Sequence, residues 1–392
     1  MKPRPIVPGV DFVGAPDFDR TVFDALIPLP DGTSYNAYLV RGAEKTALID
    51  AVEPAKLHVL KDYLKDVPRI DYVVSNHTEQ DHSGGLPWVL ERFPGIEVLC
   101  SEKAKPMLVD HLGLDPTRIR AVADGDRLEL GGKTFRFIYT PWVHWPETMS
   151  TYLEQDRILF SCDFFGSHIA ATDLFVDGAE CVLGEAKRYY AEIMMPFRTI
   201  VRQNIDKVKD LDIALIAPSH GPIHRDPQSI IRAYRDWTDD KPHNTVVIPW
   251  TTMHGSTAIM VERLIEALTE RGVTTRPFNM VSADIGQLAM ALVDAATIVV
   301  ATPTVHVGPH PMVFNAVVLA NALRPKVRFA AIIGSYGWGG KMADIVKGAM
   351  PNLKVELLPS VIAKGLPKAA DLEAIDRLAD GIAAKHRELG LF

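Results

Sequence analysis

The sequence predicts an α/β protein of two units: an αβ sandwich with mixed sheets over residues 1–242, then a doubly wound, five-stranded parallel sheet over residues 243–392. Three observations predict it. In the first half, short β-branched or aromatic runs end in packets of His, Asp and Glu. Between them stand the turn signals Asp31-Gly32, Asp124-Gly125-Asp126 and Gly131-Gly132. Beyond residue 243 the pattern becomes strict strand–helix alternation, the rhythm of a parallel sheet.

In chain order, helices are expected near 54–66, 83–93, 102–112 and 184–209. The run Ile70, Tyr72, Val73, Val74 is a strand leading to His77-Thr78-Glu79-Gln80-Asp81-His82. Phe135-Arg136-Phe137-Ile138-Tyr139 leads to His144, and Arg157-Ile158-Leu159-Phe160 leads to Asp163. Ile213-Ala214-Leu215-Ile216 leads through Ala217-Pro218-Ser219 to His220. Four strands ending at one edge would converge these seven donors on one place. The polar stretch Trp237 to Pro242 is expected to be a linker. Strands then follow near 245–250, 274–279, 297–302, 328–334 and 354–359, with helices near 257–271, 285–294, 311–323, 339–349 and 368–388.

The donor types narrow the metal. A His-x-His-x-Asp-His packet would indicate a dizinc hydrolase of the metallo-β-lactamase type. Here the middle position is Glu79, which adds a negative charge and a hard oxygen donor. Four imidazoles (His77, His82, His144, His220) and three carboxylates (Glu79, Asp81, Asp163) suit two irons, each with about two nitrogens and a carboxylate, one carboxylate bridging. No cysteine joins the set, so zinc-thiolate and iron–sulfur readings have no footing. His82 is the weakest ligand, since four histidines are one more than two open iron sites need. His58, His111, His168, His224, His243 and His386 lack this context, although His168 stands close behind Asp163.

Composition excludes other classes. Hydrophobic residues at 47% and charged residues at 23% describe a globular protein. A net charge of −7, without a Lys/Arg stripe, excludes a nucleic-acid partner. No apolar stretch approaches the roughly 18 residues that span a bilayer, and the basic start Met1-Lys2-Pro3-Arg4-Pro5 is followed by no apolar signal core. Cys100, Cys162 and Cys181 are too few and too widely spaced for a disulfide framework, which fits the cytoplasm.

In the second half the ligand loops follow the strands. Thr251-Thr252-Met253-His254-Gly255-Ser256-Thr257 offers hydroxyls and N–H groups at a helix N-terminus, enough for a phosphate monoester. The Gly-Lys-Ser/Thr of a nucleotide triphosphate loop is missing. Thr302-Pro303-Thr304-Val305-His306-Val307-Gly308 and Gly334-Ser335-Tyr336-Gly337-Trp338-Gly339-Gly340 follow the third and fourth strands. Their glycines admit a flat ring, and Tyr336 or Trp338 can stack on it. Three such loops together indicate flavin mononucleotide (FMN).

These residues resemble a flavodiiron protein over essentially the whole chain. His77-x-Glu79-x-Asp81-His82, with His144, Asp163 and His220, matches the family's diiron ligands, in the contexts His144-Trp145-Pro146 and Asp163-Phe164-Phe165-Gly166. The Thr252-Met253-x-x-Ser256-Thr257 loop and the Ser335-Tyr336-Gly337-Trp338 turn resemble its flavodoxin-like half. The resemblance implies a metallo-β-lactamase-like domain with a non-haem diiron centre and a flavodoxin-like domain with FMN. It implies that His77, Glu79 and His144 serve one iron and Asp81, His82 and His220 the other, with Asp163 bridging. It also implies a head-to-tail homodimer, or a dimer of such dimers, with the flavin of one subunit against the iron site of the other. The implied reaction is reduction of O2 to water or of NO to N2O. With the chain ending at Phe392, it resembles the minimal, A-type form, fed by a separate donor: a rubredoxin, a flavin reductase or reduced coenzyme F420. The rivals are a dizinc hydrolase with a fused flavodoxin-like module and a pure electron carrier.

Overall fold

The structure, a computed structural model, describes residues 1–176 and 180–392 apart from the side chains of residues 180 and 181; Cys181 lies outside what is described. Two compact units divide the chain: Met1–Tyr190 with Phe197–Thr238, and Ala191–Pro196 with Asp239–Phe392. Both are α/β, as the sequence patterns predict.

In the first unit, one sheet runs in the order Arg4–Val7, Val10–Phe12, Tyr38–Arg41, Thr46–Ile49, Tyr72–Val74, Glu97–Ser101, Ile119–Val122. The other runs Arg127–Glu129, Thr134–Tyr139, Met149–Leu153, Ile158–Cys162, Leu215–Pro218, Ile223–His224, Phe175–Val176. Strand alternation decides what each face meets. Tyr38, Val40, Ile49 and Val74 pack with Phe135, Phe137, Leu153 and Phe160 between the sheets. Their neighbours Leu39, Leu48 and Val73 pack instead with Leu60, Leu64, Leu86 and Val89 of the helices. The strand leading to His77 thus lies in the first sheet, and the three leading to His144, Asp163 and His220 lie in the second. The donors meet where two sheets end, rather than at one edge.

Several boundaries differ from the sequence expectation, each for a local reason. The helix expected over 184–209 is broken into Glu180–Tyr189, a π turn Tyr190–Met194, a 3₁₀ turn Met195–Phe197 and Arg198–Val208. Pro196, with no N–H to donate and a ring that blocks the preceding turn, accounts for the break. Gly84-Gly85 separates the helical turn Gln80–Ser83 from Leu86–Arg92, which leaves Asp81 and His82 on a helical turn of their own. Trp237 and Thr238 belong to the helix Pro227–Thr238 and not to a linker: the Trp237 ring is buried, 5.1 Å from that of Tyr234 and 5.5 Å from that of Tyr190. The strand expected at 354–359 is two short pieces, Glu356–Leu357 and Val361–Lys364, with Pro359 between them unable to donate to a ladder.

The second unit is a parallel sheet in the order Thr274–Asn279, His243–Trp250, Ala295–Val305, Phe329–Tyr336, with both short pieces pairing on Phe329–Tyr336. Val246, Ile248, Val299 and Ile333 pack with Met260, Leu264, Ile375 and Ile382 of the helices Ser256–Glu270 and Ala369–Glu388. The alternate residues Val247, Val300 and Ile332 are equally buried, as expected of a sheet covered on both faces. Among the described residues, no helix is long and apolar enough to cross a membrane.

His386 ties the last helix to this sheet. Its Nδ1 lies 2.8 Å from Asn244 Oδ1 and its Nε2 2.8 Å from Thr297 Oγ1, which suits a neutral ring that donates to the amide oxygen and accepts from the hydroxyl. Burial lowers its pKa to about 4. The unfolded chain takes up a proton below about pH 6.5. The stability contributed is therefore full above that pH and is lost as pH falls toward 4, by at most about 3 kcal/mol. His386→Gln is expected to flatten this limb of a pH series of denaturant titrations, and an unaltered limb would refute the assignment.

Candidate functional site

The loops that carry His77 and His220, and the rings of both residues, are held by groups far away in the chain. At the end of strand Thr46–Ile49, the buried Asp50 accepts from Asn76 N at 2.7 Å and Asn76 Nδ2 at 3.0 Å, with Ser219 Oγ at 3.4 Å. One carboxylate thereby fixes the residue before His77 and the residue before His220. Asn36 brackets the second loop, its Nδ2 donating to Pro218 O at 2.8 Å and Gly221 O at 2.7 Å. The Tyr38 hydroxyl also donates to Pro218 O. At Gly221, with φ +78°, a Cβ would sit 2.1 Å from Ser167 Oγ, so only glycine fits. His77 Nδ1 lies 2.7 Å from Glu147 Oε1, which also accepts from Thr78 N and Thr78 Oγ1. His220 Nδ1 donates to Ser34 O at 2.6 Å. In both rings Nε2 is the atom left facing the acids.

The donors converge as two groups: His77, Glu79, His144 and Asp163, then Asp81, His82 and His220. Glu79 Oε2 is 3.1 Å from His77 Nε2 and 3.0 Å from His144 Nε2. Asp81 Oδ2 is 3.2 Å from His220 Nε2. Asp163 faces both groups. Its Oδ2 lies 3.4 Å from His77 Nε2 and 3.6 Å from His144 Nε2, and its Oδ1 lies 2.9 Å from His82 Nε2 and 3.5 Å from His220 Nε2. Burial disfavours protonated His77, but its bonds to Glu147 and Glu79 and the Asp163 charge outweigh this and hold its pKa well above the usual value. Burial also opposes ionisation of Asp163, and the His82, His77 and His220 charges overcome it, holding the carboxyl well below its usual range. For His82 the Asp81 and Asp163 charges outweigh burial and raise the pKa to about 9.

Both carboxylate oxygens of Asp81, both of Asp163 and both ring nitrogens of His82 are buried without a hydrogen-bond partner. Six such atoms in one place are costly unless a cation satisfies them. Oxygen and imidazole donors in two groups, with one carboxylate facing both, fit a pair of iron ions. Cys162 Sγ also comes within reach of His82 and Asp163, a neighbour that the sequence reading left out of the set. Burial, with the Asp50 and Asp163 charges, pushes its thiol pKa up. His168 is packed behind the site: its Nδ1 lies 2.9 Å from Thr33 Oγ1 and its ring 5.0 Å from that of His220. Sequence reasoning missed Asp50, Asn36, Asn76 and Glu147. Only Glu147, three residues beyond His144, carried a local signal.

In the second unit, Thr252, Met253, His254, Ser256, Pro303, Thr304, Ser335, Tyr336 and Gly337 line one cleft, joined by Gly365, which the sequence reading did not single out. Gly255, with φ +91°, opens the helix Ser256–Glu270 here, and its N–H donates to Thr252 Oγ1 at 3.0 Å. Hydroxyls over a helix N-terminus fit a phosphate, and the shallow backbone at Gly337 and Gly365 fits a flat ring. Thr257 is buried behind this floor, its Oγ1 3.2 Å from Ser335 Oγ. The Thr302 hydroxyl is engaged with Pro303 O and His310 N. His306 and Gly308 form the turn that pairs Val305 with Gly308, and Trp338 is 81% exposed; like Gly339, none of these lines the cleft.

Residues 33–221 match the family model described as ODP family beta lactamase. The chain is 34% identical to a nitric oxide reductase of Moorella thermoacetica, over 98% of this chain and 99% of that one. It is 33% identical to a coenzyme F420H2 oxidase of Methanothermobacter marburgensis, over 97% of each chain. Among solved structures, rubredoxin oxygen:oxidoreductase of Desulfovibrio gigas superposes with a TM-score of 0.94 at 28% identity, covering 99% of both chains.

Asp50→Ala removes the acceptor that fixes Asn76 and leaves that amide buried and unpaired. The expected cost is about 2–4 kcal/mol of stability, with metal affinity about 10–100-fold weaker by chelator competition. Wild-type affinity in the variant would show that Asp50 does not organise the site.

Proposed function

Given that the chain belongs to the flavodiiron proteins, we propose that it is an oxidoreductase reducing O2 to water, NO to N2O, or both, at two non-haem irons fed with electrons by FMN. The observation that carries this reading is the set of six buried donor atoms on Asp81, His82 and Asp163 that make no hydrogen bond, inside a ring of further imidazole and carboxylate donors. Residues 1–242 form the diiron domain and residues 243–392 the FMN domain. His77, Glu79 and His144 would hold one iron and Asp81, His82 and His220 the other. Asp163 would bridge the two, a role supported by each of its oxygens facing a different group.

When bound, the irons and the flavin supply open coordination positions for a diatomic gas and electrons delivered one at a time. The chain's residues do the rest. Glu147 Oε1 and Ser34 O keep protons on Nδ1 of His77 and His220, so that both Nε2 lone pairs stay available. Glu79 contributes oxygen where a hydrolase of this fold would carry a third imidazole. Phe23, whose ring lies 4.9 Å from His168 and 6.0 Å from His220, lines the apolar flank and keeps water off those rings. In the second unit Thr252 and Ser256 would bind the phosphate at the helix N-terminus, and Tyr336 would flank the flavin ring. The protein works in the cytoplasm as a head-to-tail homodimer, or a dimer of such dimers, with a rubredoxin, a flavin reductase or reduced coenzyme F420 as donor; the relatives' reactions support such a donor.

The deciding test is anaerobic NO consumption beside aerobic O2 consumption by the metal-analysed protein with an artificial or rubredoxin-type donor. Two irons and one FMN per chain with rapid loss of either gas support the proposal, and zinc with neither gas consumed sinks it. Asp163→Ala is expected to lose iron and more than about 100-fold of the reductase activity, beyond what outer-shell changes cost, while keeping the yellow FMN spectrum. Thr257→Val, which unseats the Ser335 hydroxyl, is expected to weaken FMN binding by about 10-fold, a loss of one hydrogen bond, with iron content unchanged; full FMN occupancy after dialysis would count against the loop assignment.

A further inference from the structure

His77 and His220 belong to opposite groups of the metal centre, and each secures its ring through Nδ1. The two bonds are nearly equal in length, 2.7 Å from His77 to Glu147 Oε1 and 2.6 Å from His220 to Ser34 O. Their acceptors differ by a full charge: one is a carboxylate, the other a backbone carbonyl. Glu147 is completely buried, and among the described residues no lysine or arginine pairs with it. Its Oε2 has no partner, and its Oε1 takes three donors, His77 Nδ1, Thr78 N and Thr78 Oγ1. A carboxylate this poorly neutralised draws the Nδ1 proton toward itself and makes Nε2 the stronger electron donor. A stronger donor favours the ferric over the ferrous ion.

We propose that Glu147 is a positioning residue that makes the two irons unequal, holding the one on the His77 side at the lower reduction potential of the pair. This rests on the ligand assignment above. One electron from an added reductant, converting one ferric ion to ferrous, then goes to the His220 side first. The Thr78 hydroxyl moderates the effect, because it shares the oxygen that His77 uses.

The test is an anaerobic dithionite titration of the iron-loaded, FMN-containing full chain, followed by electron paramagnetic resonance of the half-reduced pair. Glu147→Gln is expected to move the lower iron potential upward and shrink the half-reduced signal, with iron affinity about 10–100-fold weaker. Thr78→Val frees the carboxylate for His77, and is expected to move the same potential downward and enlarge the signal. Loosened packing would shift both variants in the same sense, so opposite shifts support the proposal and equal or absent shifts overturn it. If Glu147→Gln fails to hold iron, the sign of the Thr78→Val shift decides alone. A wild-type protein without two irons overturns the ligand assignment and this inference together; two irons with unmoved potentials in the variants overturn the inference alone.

Discussion

Three carboxylates and four imidazoles share one buried space, and that concentration of charge is the constraint around which the first unit is organised. Glu79, Asp81 and Asp163 cannot be desolvated together without positive charge close by, since each uncompensated buried ion costs several kcal/mol. The imidazoles offset part of this, as the shifted acidities of His77, His82 and Asp163 show. They do not satisfy the geometry: Asp81, His82 and Asp163 lie within ion-pair distance of one another and of the other imidazoles, yet keep atoms without a hydrogen bond. A cation pair answers the charge and the orphaned lone pairs at once.

The two units solve binding by different means. The metal centre is made of side chains, with His77 and His220 aimed by hydrogen bonds from distant parts of the chain, because metal ligands must be placed to a fraction of an ångström. The cleft of the second unit uses a helix N-terminus, hydroxyls and exposed backbone, because a phosphate and a planar ring are recognised by partial charges and shape. Substitutions in the first unit therefore act through geometry, whereas those in the second act through individual hydrogen bonds.

How much was legible in the sequence follows from the range of each interaction. The seven donors could be found because His77 to His82 is a local packet and because His144, Asp163 and His220 each follow a β-rich run. The groups that aim them could not. Asp50 reaches Asn76 across 26 positions, Glu147 reaches His77 across 70, and Ser34 reaches His220 across 186, and of these only Glu147 stands near another donor, His144, in the sequence. Helix and strand boundaries failed where a single residue overrode periodicity, as Pro196 and Pro359 do. Trp237 reads as linker by its polar neighbours, yet its ring packs with Tyr190 and Tyr234. In the second unit the loops were legible as loops, but not which of their side chains line the cleft: Thr257 is buried against Ser335, the Thr302 hydroxyl bonds to its own loop, and Trp338 is exposed.

The bracket that Asn36 places on Pro218 and Gly221 bears on how the ions are acquired. Together with Asp50 and Tyr38 it shapes the His220 loop entirely through protein–protein hydrogen bonds, on strands whose cores are apolar. The backbone of this loop is thus positioned by the chain itself, in contrast to small zinc domains whose fold depends on their ion. Which metal it carries is then settled by donor chemistry and by what its surroundings supply.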